Sequence, residues 1–285
     1  MQSQSILVGL IGAGIQSSLS PALHEREGRA QGLGYRYRLI DLDVLALTPA
    51  ALPELLARAE REGFDGLNIT FPCKQAVMEW LDELSPDARA IGSVNTVLLS
   101  GGRRIGHNTD WSGFAESFRR ALPDARRDRV VLFGAGGAGA AVAHALLALQ
   151  TCELALVDTD VGRARDLAEA LCGRFGTGRA IAMTDPAAAM HGADGMVNAT
   201  PVGMAKFPGL PLPAELLSPK LWVSEIVYFP LKTQLLAEAK ALGCRTMSGA
   251  GMAVFQAAEA FRLFSGRTAD RERMLAHFAE LTSRP

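Results

Sequence analysis

The chain has 285 residues, of which 48% are hydrophobic and 21% charged, and its formal net charge is -1. That length suits one large or two ordinary domains, with a core that needs neither disulfides nor metals. A near-neutral balance without a clustered Lys/Arg stripe argues against a nucleic-acid binder, and the longest apolar stretch, 135–149, is too short and too rich in small residues to span a membrane.

Taken in order, the pattern alternates strand and helix. A strand is expected at 5–12, then a helix at 21–31 with Ser20 as its cap and Pro21 at its first position. A strand at 35–42 precedes a helix at 49–61 capped by Thr48, a short strand at 67–70 and a helix at 72–81. Residues 94–99 and 103–106 read as a hairpin turning on Gly101-Gly102, and a helix over 111–122 stops before Pro123. A second series opens with the apolar run 130–133 entering a glycine-rich turn, followed by helix 137–149, strand 153–158, helix 160–174 and strand 179–183. Strands at 196–198 and 222–226, separated by a Pro-rich loop at 207–213, lead to helices at 232–242, 250–264 and 270–283.

Such alternation implies an α/β protein with sheets covered by helices. The charged stretch 124–129 reads as a domain boundary. Cys73, Cys152, Cys172 and Cys244 are scattered, without metal-ligand spacing, so a reduced cytoplasmic protein with no metal is expected. Met1 leads through two Ser-Gln pairs straight into the first strand, with no charged leader or cleavage site.

Gly134-Ala135-Gly136-Gly137-Ala138-Gly139 matches GxGxxG between a strand and a helix. Its glycines permit a tight turn, close approach of backbone N–H groups to a pyrophosphate, and close helix–strand packing. Asp158 lies nineteen positions past Gly139 at the end of the next strand, where a carboxylate holds an adenosine ribose. The competing reading makes Asp158 a turn residue capping the helix from Val161. With this context the segment reads as a dinucleotide site, and the acidic Asp158-Thr159-Asp160 points to NAD.

Further motifs carry a family resemblance. Ser18-Leu19-Ser20-Pro21, Asn68-Ile69-Thr70-Phe71-Pro72-Cys73-Lys74, Ser93-Val94-Asn95-Thr96, Asn108-Thr109-Asp110, Asn198-Ala199-Thr200-Pro201-Val202-Gly203-Met204, Tyr228-Phe229-Pro230-Leu231-Lys232-Thr233 and Gly249-Ala250-Gly251-Met252 with Gln256 resemble the successive signatures of shikimate dehydrogenases. The resemblance implies a mixed α/β substrate domain at 1–123, a Rossmann domain with a doubly wound parallel sheet at 124–247, and final helices at 248–285 that return to the substrate domain. It implies hydride transfer between a nicotinamide and the ring hydroxyl of shikimate or quinate, in aromatic amino acid biosynthesis or quinate catabolism, by a monomer or homodimer.

Carried over by position, Lys74 is the acid/base group and Asp110 its orienting partner. Ser18 and Ser20 hold the carboxylate, while Thr70, Asn95, Asp110 and Gln256 bond ring hydroxyls. Tyr228 lies near the carboxylate. Asn198, Thr200 and Met252 serve the cofactor, Met252 against the nicotinamide. Singly, several have plainer readings: Ser20 and Asp110 as helix caps, Met252 as core filler. Asp158-Thr159-Asp160 lacks the arginine that biosynthetic members place there for NADP, and Gly14-Ile15-Gln16, His24-Glu25 and the stretch 253–266 lean towards the bacterial NAD-dependent quinate/shikimate enzymes. Glu225 stands where aspartate is common, and the sequence offers no reading of it. The alternatives are an aminoshikimate-type paralogue, a strict NADP shikimate dehydrogenase, or a catalytically silent NAD-binding sensor.

Overall fold

The computed structural model describes residues 5–283. The chain divides into two compact units, one made of the residues up to Thr109 together with those from Val254 on, the other of Asp110–Ala253.

In the first unit, β1 (Ser5–Gly12), α1 (Ser20–Ala30), β2 (Gly34–Asp41), the short α2 (Leu42–Leu45), α3 (Leu52–Arg61) and β3 (Gly66–Ile69) come first. They are followed by β4 (Glu83–Leu84), α4 (Pro86–Ile91), β5 (Thr96–Ser100) and β6 (Arg103–His107). The sheet has the order β2-β1-β3-β5-β6-β4. β1 runs parallel to β2 and β3, whereas β5 is antiparallel to both β3 and β6. β1 beyond its first residue and β3 are largely buried on both faces, as expected of central strands covered on two sides. α3 covers one face through Leu52, Leu55, Leu56 and Ala59, a helical i, i+3, i+4, i+7 stripe.

The second unit begins with α5 (Asp110–Ala121) and continues through β7 (Arg129–Phe133), α6 (Gly137–Ala148), β8 (Glu153–Val157), α7 (Val161–Phe175), β9 (Ala180–Met183) and α8 (Pro186–Met190). Then come β10 (Gly195–Asn198), β11 (Trp222–Glu225), α9 (Gln234–Ala241) and β12 (Arg245–Met247). All six strands are parallel, in the order β12-β11-β10-β7-β8-β9. The winding reverses between β7 and β10, which makes this a doubly wound Rossmann sheet whose ligand crevice lies beyond the strand ends at that switch point. α10 (Gly249–Ser265) starts in this unit and finishes in the first, and α11 (Arg271–Thr282) belongs to the first.

The division falls at Asp110, earlier than the boundary near 124 that the polar stretch suggests, and at Val254, later than the one near 248 that the resemblance implies. The reason is packing. α5 buries Phe114, Ala115 and Phe118 in the core of the second unit, joined by Leu122 just after it, and Phe118 meets Trp222 edge-on with ring centroids 5.0 Å apart. Polarity marks a loop after that helix, not the start of the unit.

Other elements also differ from expectation. No helix spans 72–81; only a 3-10 turn at Ala76–Trp80 forms, because Lys74 O accepts the N–H of Val94 at 2.9 Å and the segment follows its neighbours instead of its own period. Ser20 does not cap α1 but lies within it. Leu19 is the cap residue, and Ser18 Oγ accepts the Ser20 N–H at 3.3 Å. Thr48 makes no side-chain cap, because the chain enters α3 through a 3-10 turn at Pro49–Ala51. The helix after β8 is capped by Asp160, whose carboxylate accepts from Arg163 N–H, and not by Asp158.

Candidate active site

At the switch point of the second sheet, Gly134 ends β7 with φ +98° and faces the backbone of the segment after β10. A Cβ there would stand 2.7 Å from Ala199 O, so only glycine suits the position. A Cβ on Gly139 would collide with Gly134 O, which keeps the first turn of α6 against β7. Gly136 caps α6 without any side chain bonding the helix N-terminus, and the space beside its Cα is open. Unsatisfied N–H groups and the positive end of a buried helix, left uncovered by side chains, fit a pyrophosphate. The residues of this turn therefore suit a dinucleotide.

Asp158 closes the turn from the next strand. Its Oδ2 accepts the N–H of Ala135 at 2.6 Å, and its Oδ1 accepts Asp160 N–H at 2.8 Å and Arg163 Nη2 at 2.7 Å. Burial works to raise its pKa, but the Arg163 guanidinium and the two backbone donors outweigh that and hold the carboxyl below its usual range. Arg163 sits one turn into α7 and reaches back to Asp158, so the acidic turn is partly neutralised from within the chain.

Across the crevice, Asn198 ends β10 fully buried. Its Oδ1 accepts both the N–H and the Oγ1 hydroxyl of Thr200, at 3.0 and 2.7 Å. Its Nδ2 donates to Val202 O at 2.8 Å and to the buried carboxylate of Glu225. Met252 is buried in the core of the second unit with Phe114 and Met247. Tyr228 is exposed over 36% of its surface. Asp110 is buried in the first turn of α5, where a carboxylate complements the helix dipole.

The first unit gathers the other candidates. Asn95 Nδ2 donates to Thr109 Oγ1 at 2.9 Å while Asn95 Oδ1 accepts the Thr109 N–H at 2.7 Å, and Thr109 Oγ1 reaches Gln256 Oε1 at 3.5 Å. Behind them Asn68 donates to Thr96 Oγ1 and to Asn95 O, and accepts from the Tyr37 hydroxyl at 2.9 Å. Thr70 packs its methyl into the space left by the absent side chain of Gly12. Lys74 is half-buried on the loop that follows β3. Its neighbour Cys73 is buried, which pushes the thiol up to about 11 and leaves it unreactive at neutral pH.

Ser18 stands near the end of a loop tied down by Asp41 at the end of β2, and Ser20 opens α1 directly after it. Asp41 accepts the N–H groups of Gly14 and Ile15, each at 3.0 Å, and the Gln16 side-chain amide at 2.9 Å, and Ile15 O accepts Ser18 N–H. Asp41, Asn68, Thr109 and Glu225 were not among the sequence candidates. Asn68 and Thr109 lay inside quoted motifs. For Asp41 and Glu225 the sequence carried no signal, because burial of a carboxylate shows only once the fold is known.

A family model described as the shikimate dehydrogenase substrate binding domain matches residues 10–97, and one for the shikimate 5'-dehydrogenase C-terminal domain matches 249–277. A shikimate dehydrogenase (NADP(+)) of Streptomyces avermitilis is 60% identical over 283 residues, covering 99% of this chain and 97% of that protein. The chain belongs to the shikimate dehydrogenase family. Within this family, a quinate/shikimate dehydrogenase (NAD(+)) of Corynebacterium efficiens is 47% identical over 99% of the chain and 100% of its own length. The solved quinate dehydrogenase of Corynebacterium glutamicum in complex with NAD superposes with a TM-score of 0.90 at 44% identity, over 98% of this chain and 100% of that one. As a shikimate dehydrogenase family member the chain is an oxidoreductase of the shikimate/quinate type that works with a nicotinamide cofactor. Among the described residues no helix is long and apolar enough to cross a membrane.

The serine loop yields a first expected result for this shikimate dehydrogenase family member. If Ser18 and Ser20 receive the substrate carboxylate, Ser→Ala at either weakens apparent ring-acid affinity by about 10–100-fold, the equivalent of one hydrogen bond to a charged group. Stability separates the two positions: Ser18→Ala loses an acceptor at the start of α1 and costs about 0.5–1 kcal/mol, while Ser20→Ala loses no cap. Urea denaturation and steady-state KM values check both halves. An unchanged KM in both variants removes the serines from the site.

Proposed function

We propose that the chain oxidises the ring hydroxyl of a shikimate- or quinate-type acid with NAD, or reduces the matching 3-dehydro ketone in reverse. The observation that carries the choice of NAD is the carboxylate of Asp158 at the end of β8, with its one cationic neighbour in this turn, Arg163, already bound to it. A 2'-phosphate placed here would meet that carboxylate at close range, whereas ribose hydroxyls are donors to it. The likeness to the NAD-bound Corynebacterium quinate dehydrogenase supports the same reading. The NADP named for the Streptomyces relative at 60% identity favours the other cofactor, and one measurement decides between them. Catalytic efficiency is compared with NAD and NADP on one shared ring acid; NAD is preferred by at least about tenfold, about 1.4 kcal/mol. Equal efficiencies, or a preference for NADP, overturn the NAD assignment.

In this reading the bound nicotinamide supplies the hydride acceptor. The chain's own groups do the rest. Lys74 takes the hydroxyl proton as the carbon is oxidised and returns it in the reverse direction, and Asp110 orients the ammonium. Ser18 and Ser20 hold the substrate carboxylate with Tyr228 nearby. Thr70, Asn95, Asp110 and Gln256 bond the ring hydroxyls, and the Thr109 bridge keeps the Asn95 and Gln256 amides in register. Residues 134–139 hold the pyrophosphate, Asp158 the ribose, and Asn198, Thr200 and Met252 the nicotinamide half. A panel of quinate, shikimate and an aminated analogue with the preferred cofactor identifies the ring acid, and no turnover with any of them despite cofactor binding favours a silent sensor.

A further inference from the structure

We propose that Glu225 is a positioning residue for the cofactor: its buried carboxylate fixes the orientation of the Asn198 amide and, through it, the path of residues 198–203. The proposal rests on the reading that this segment lies along the nicotinamide half of the cofactor.

Glu225 ends β11 and is fully buried. In the parallel register of β10 and β11 it lies opposite Asn198. Asn198 Nδ2 donates to both carboxylate oxygens at 3.0 Å, and the same nitrogen also donates to Val202 O. The opposite end of the amide accepts the Thr200 N–H and hydroxyl, and Thr200 Oγ1 in turn accepts the Val202 N–H at 3.1 Å. An ionised carboxylate only accepts hydrogen bonds. It therefore admits one orientation of the Asn198 amide. The reverse orientation sets Oδ1 against the carboxylate and the NH2 group against the Thr200 N–H, which breaks the bonds of the amide to Glu225, to Val202 O and to the Thr200 N–H.

The other groups meeting Glu225 are also donors, and neutral. Val227 N–H lies at 3.0 Å and the Thr233 hydroxyl at 3.2 Å, Thr233 being the cap of α9. A Cβ on Gly203, which has φ +107°, would stand 3.3 Å from Oε2, so the segment closes back over the carboxylate it hangs from. No charged side chain is among these partners from β10, the end of β11, the 198–203 segment or the cap of α9. On protonation one carboxyl oxygen becomes a donor, with the Thr233 hydroxyl the neighbour able to accept from it, and the Asn198 amide keeps one of its two carboxylate acceptors, so its hold is weakened. Burial pushes the Glu225 carboxyl up to about 7, so the two forms exchange near neutral pH.

The test is cofactor binding by calorimetry between pH 6 and 8.5, using whichever of NAD and NADP the efficiency comparison prefers. In the unaltered protein the Kd is expected to rise about tenfold from pH 8 to pH 6, following the ionised fraction of one group titrating near 7. Glu225→Gln, unable to ionise, binds about tenfold more weakly at pH 8 and loses the step; Glu225→Asp keeps it. A flat Kd in the unaltered protein, or a Gln variant with unaltered affinity and step, overturns the proposal. Should the Gln variant not fold, Thr233→Val removes one donor to the ionised form and moves the midpoint to higher pH, and an unmoved midpoint overturns it equally. Asn198→Ala separates the two levels. If it leaves cofactor affinity intact, the segment does not serve the cofactor; if it weakens binding while Glu225→Gln does not, only the role of Glu225 falls.

Discussion

Replacing Lys74 by Ala is expected to lower turnover by roughly 10²–10⁴-fold, the usual contribution of a positioned general acid/base. The loop survives the change because backbone bonds hold it: Cys73 N–H to Thr70 O at 2.8 Å, Val77 N–H to Cys73 O at 2.9 Å and Val94 N–H to Lys74 O. None of these involves the Lys74 side chain. Cofactor Kd is therefore expected to stay as it is, since the glycine-rich turn and Asp158 belong to the other unit. Asp110→Asn should cause similar damage to turnover while keeping the shape of the first turn of α5. Steady-state kcat beside calorimetric cofactor binding separates the effects, and a Lys74→Ala protein with normal turnover removes Lys74 from the mechanism.

The second large effect concerns cofactor choice. Two like charges about 4 Å apart repel by roughly 4 kcal/mol at an effective dielectric near 20; the Arg163 partner and salt reduce this at Asp158. Asp158→Asn removes the charge and frees Arg163, which then offers a guanidinium to a phosphate from a distance it already spans. The Asn side-chain oxygen remains able to accept the Ala135 N–H, so the turn keeps its shape. Adding Thr159→Arg supplies a second cation. The ratio of kcat/KM for NAD to that for NADP is expected to fall by at least about tenfold in the single variant and further in the double one, inverting the preference. An unchanged ratio in the double variant shows that Asp158 points away from the ribose position.

The sequence made the second unit easier to read than the first. GxGxxG between an apolar strand and a helix of small residues is a local signal, and the turn and α6 form as the pattern suggests, with Asp158 following β8 directly. In the first unit, the 72–81 segment has apolar residues near helical spacing, yet it forms only a 3-10 turn, with Lys74 O taken by the N–H of Val94 from the loop before β5. Ser20 followed by Pro21 imitates a cap, but the helix admits Ser20 itself and leaves Ser18 to receive its N–H. β4, β12, α4 and α8 are too short to display a period. Asp158 was read either as a ribose ligand or as the cap of α7; the cap is Asp160, and Asp158 braces the glycine-rich turn. Asp41, which the sequence does not single out, and Glu225, noted there without a reading, share a reason: a carboxylate in sequence looks solvated until the donors that surround it are brought together from distant segments.

The chain leaves the first unit at Thr109 and re-enters it at Val254, partway along α10. Tyr35 stacks on Phe261 with ring centroids 5.2 Å apart, and the buried Glu27 of α1 takes a bidentate pair of bonds from Arg273 of α11 at 2.7 and 2.8 Å. During synthesis, therefore, the strands that leave the ribosome first have α3 early but lack α10 and α11 until the end of translation. The second unit is continuous and can complete its own core while the first still waits. A stretch of nascent β-sheet with exposed apolar faces persists in the meantime, and the burden of keeping it from aggregating falls on the speed with which the last two helices arrive.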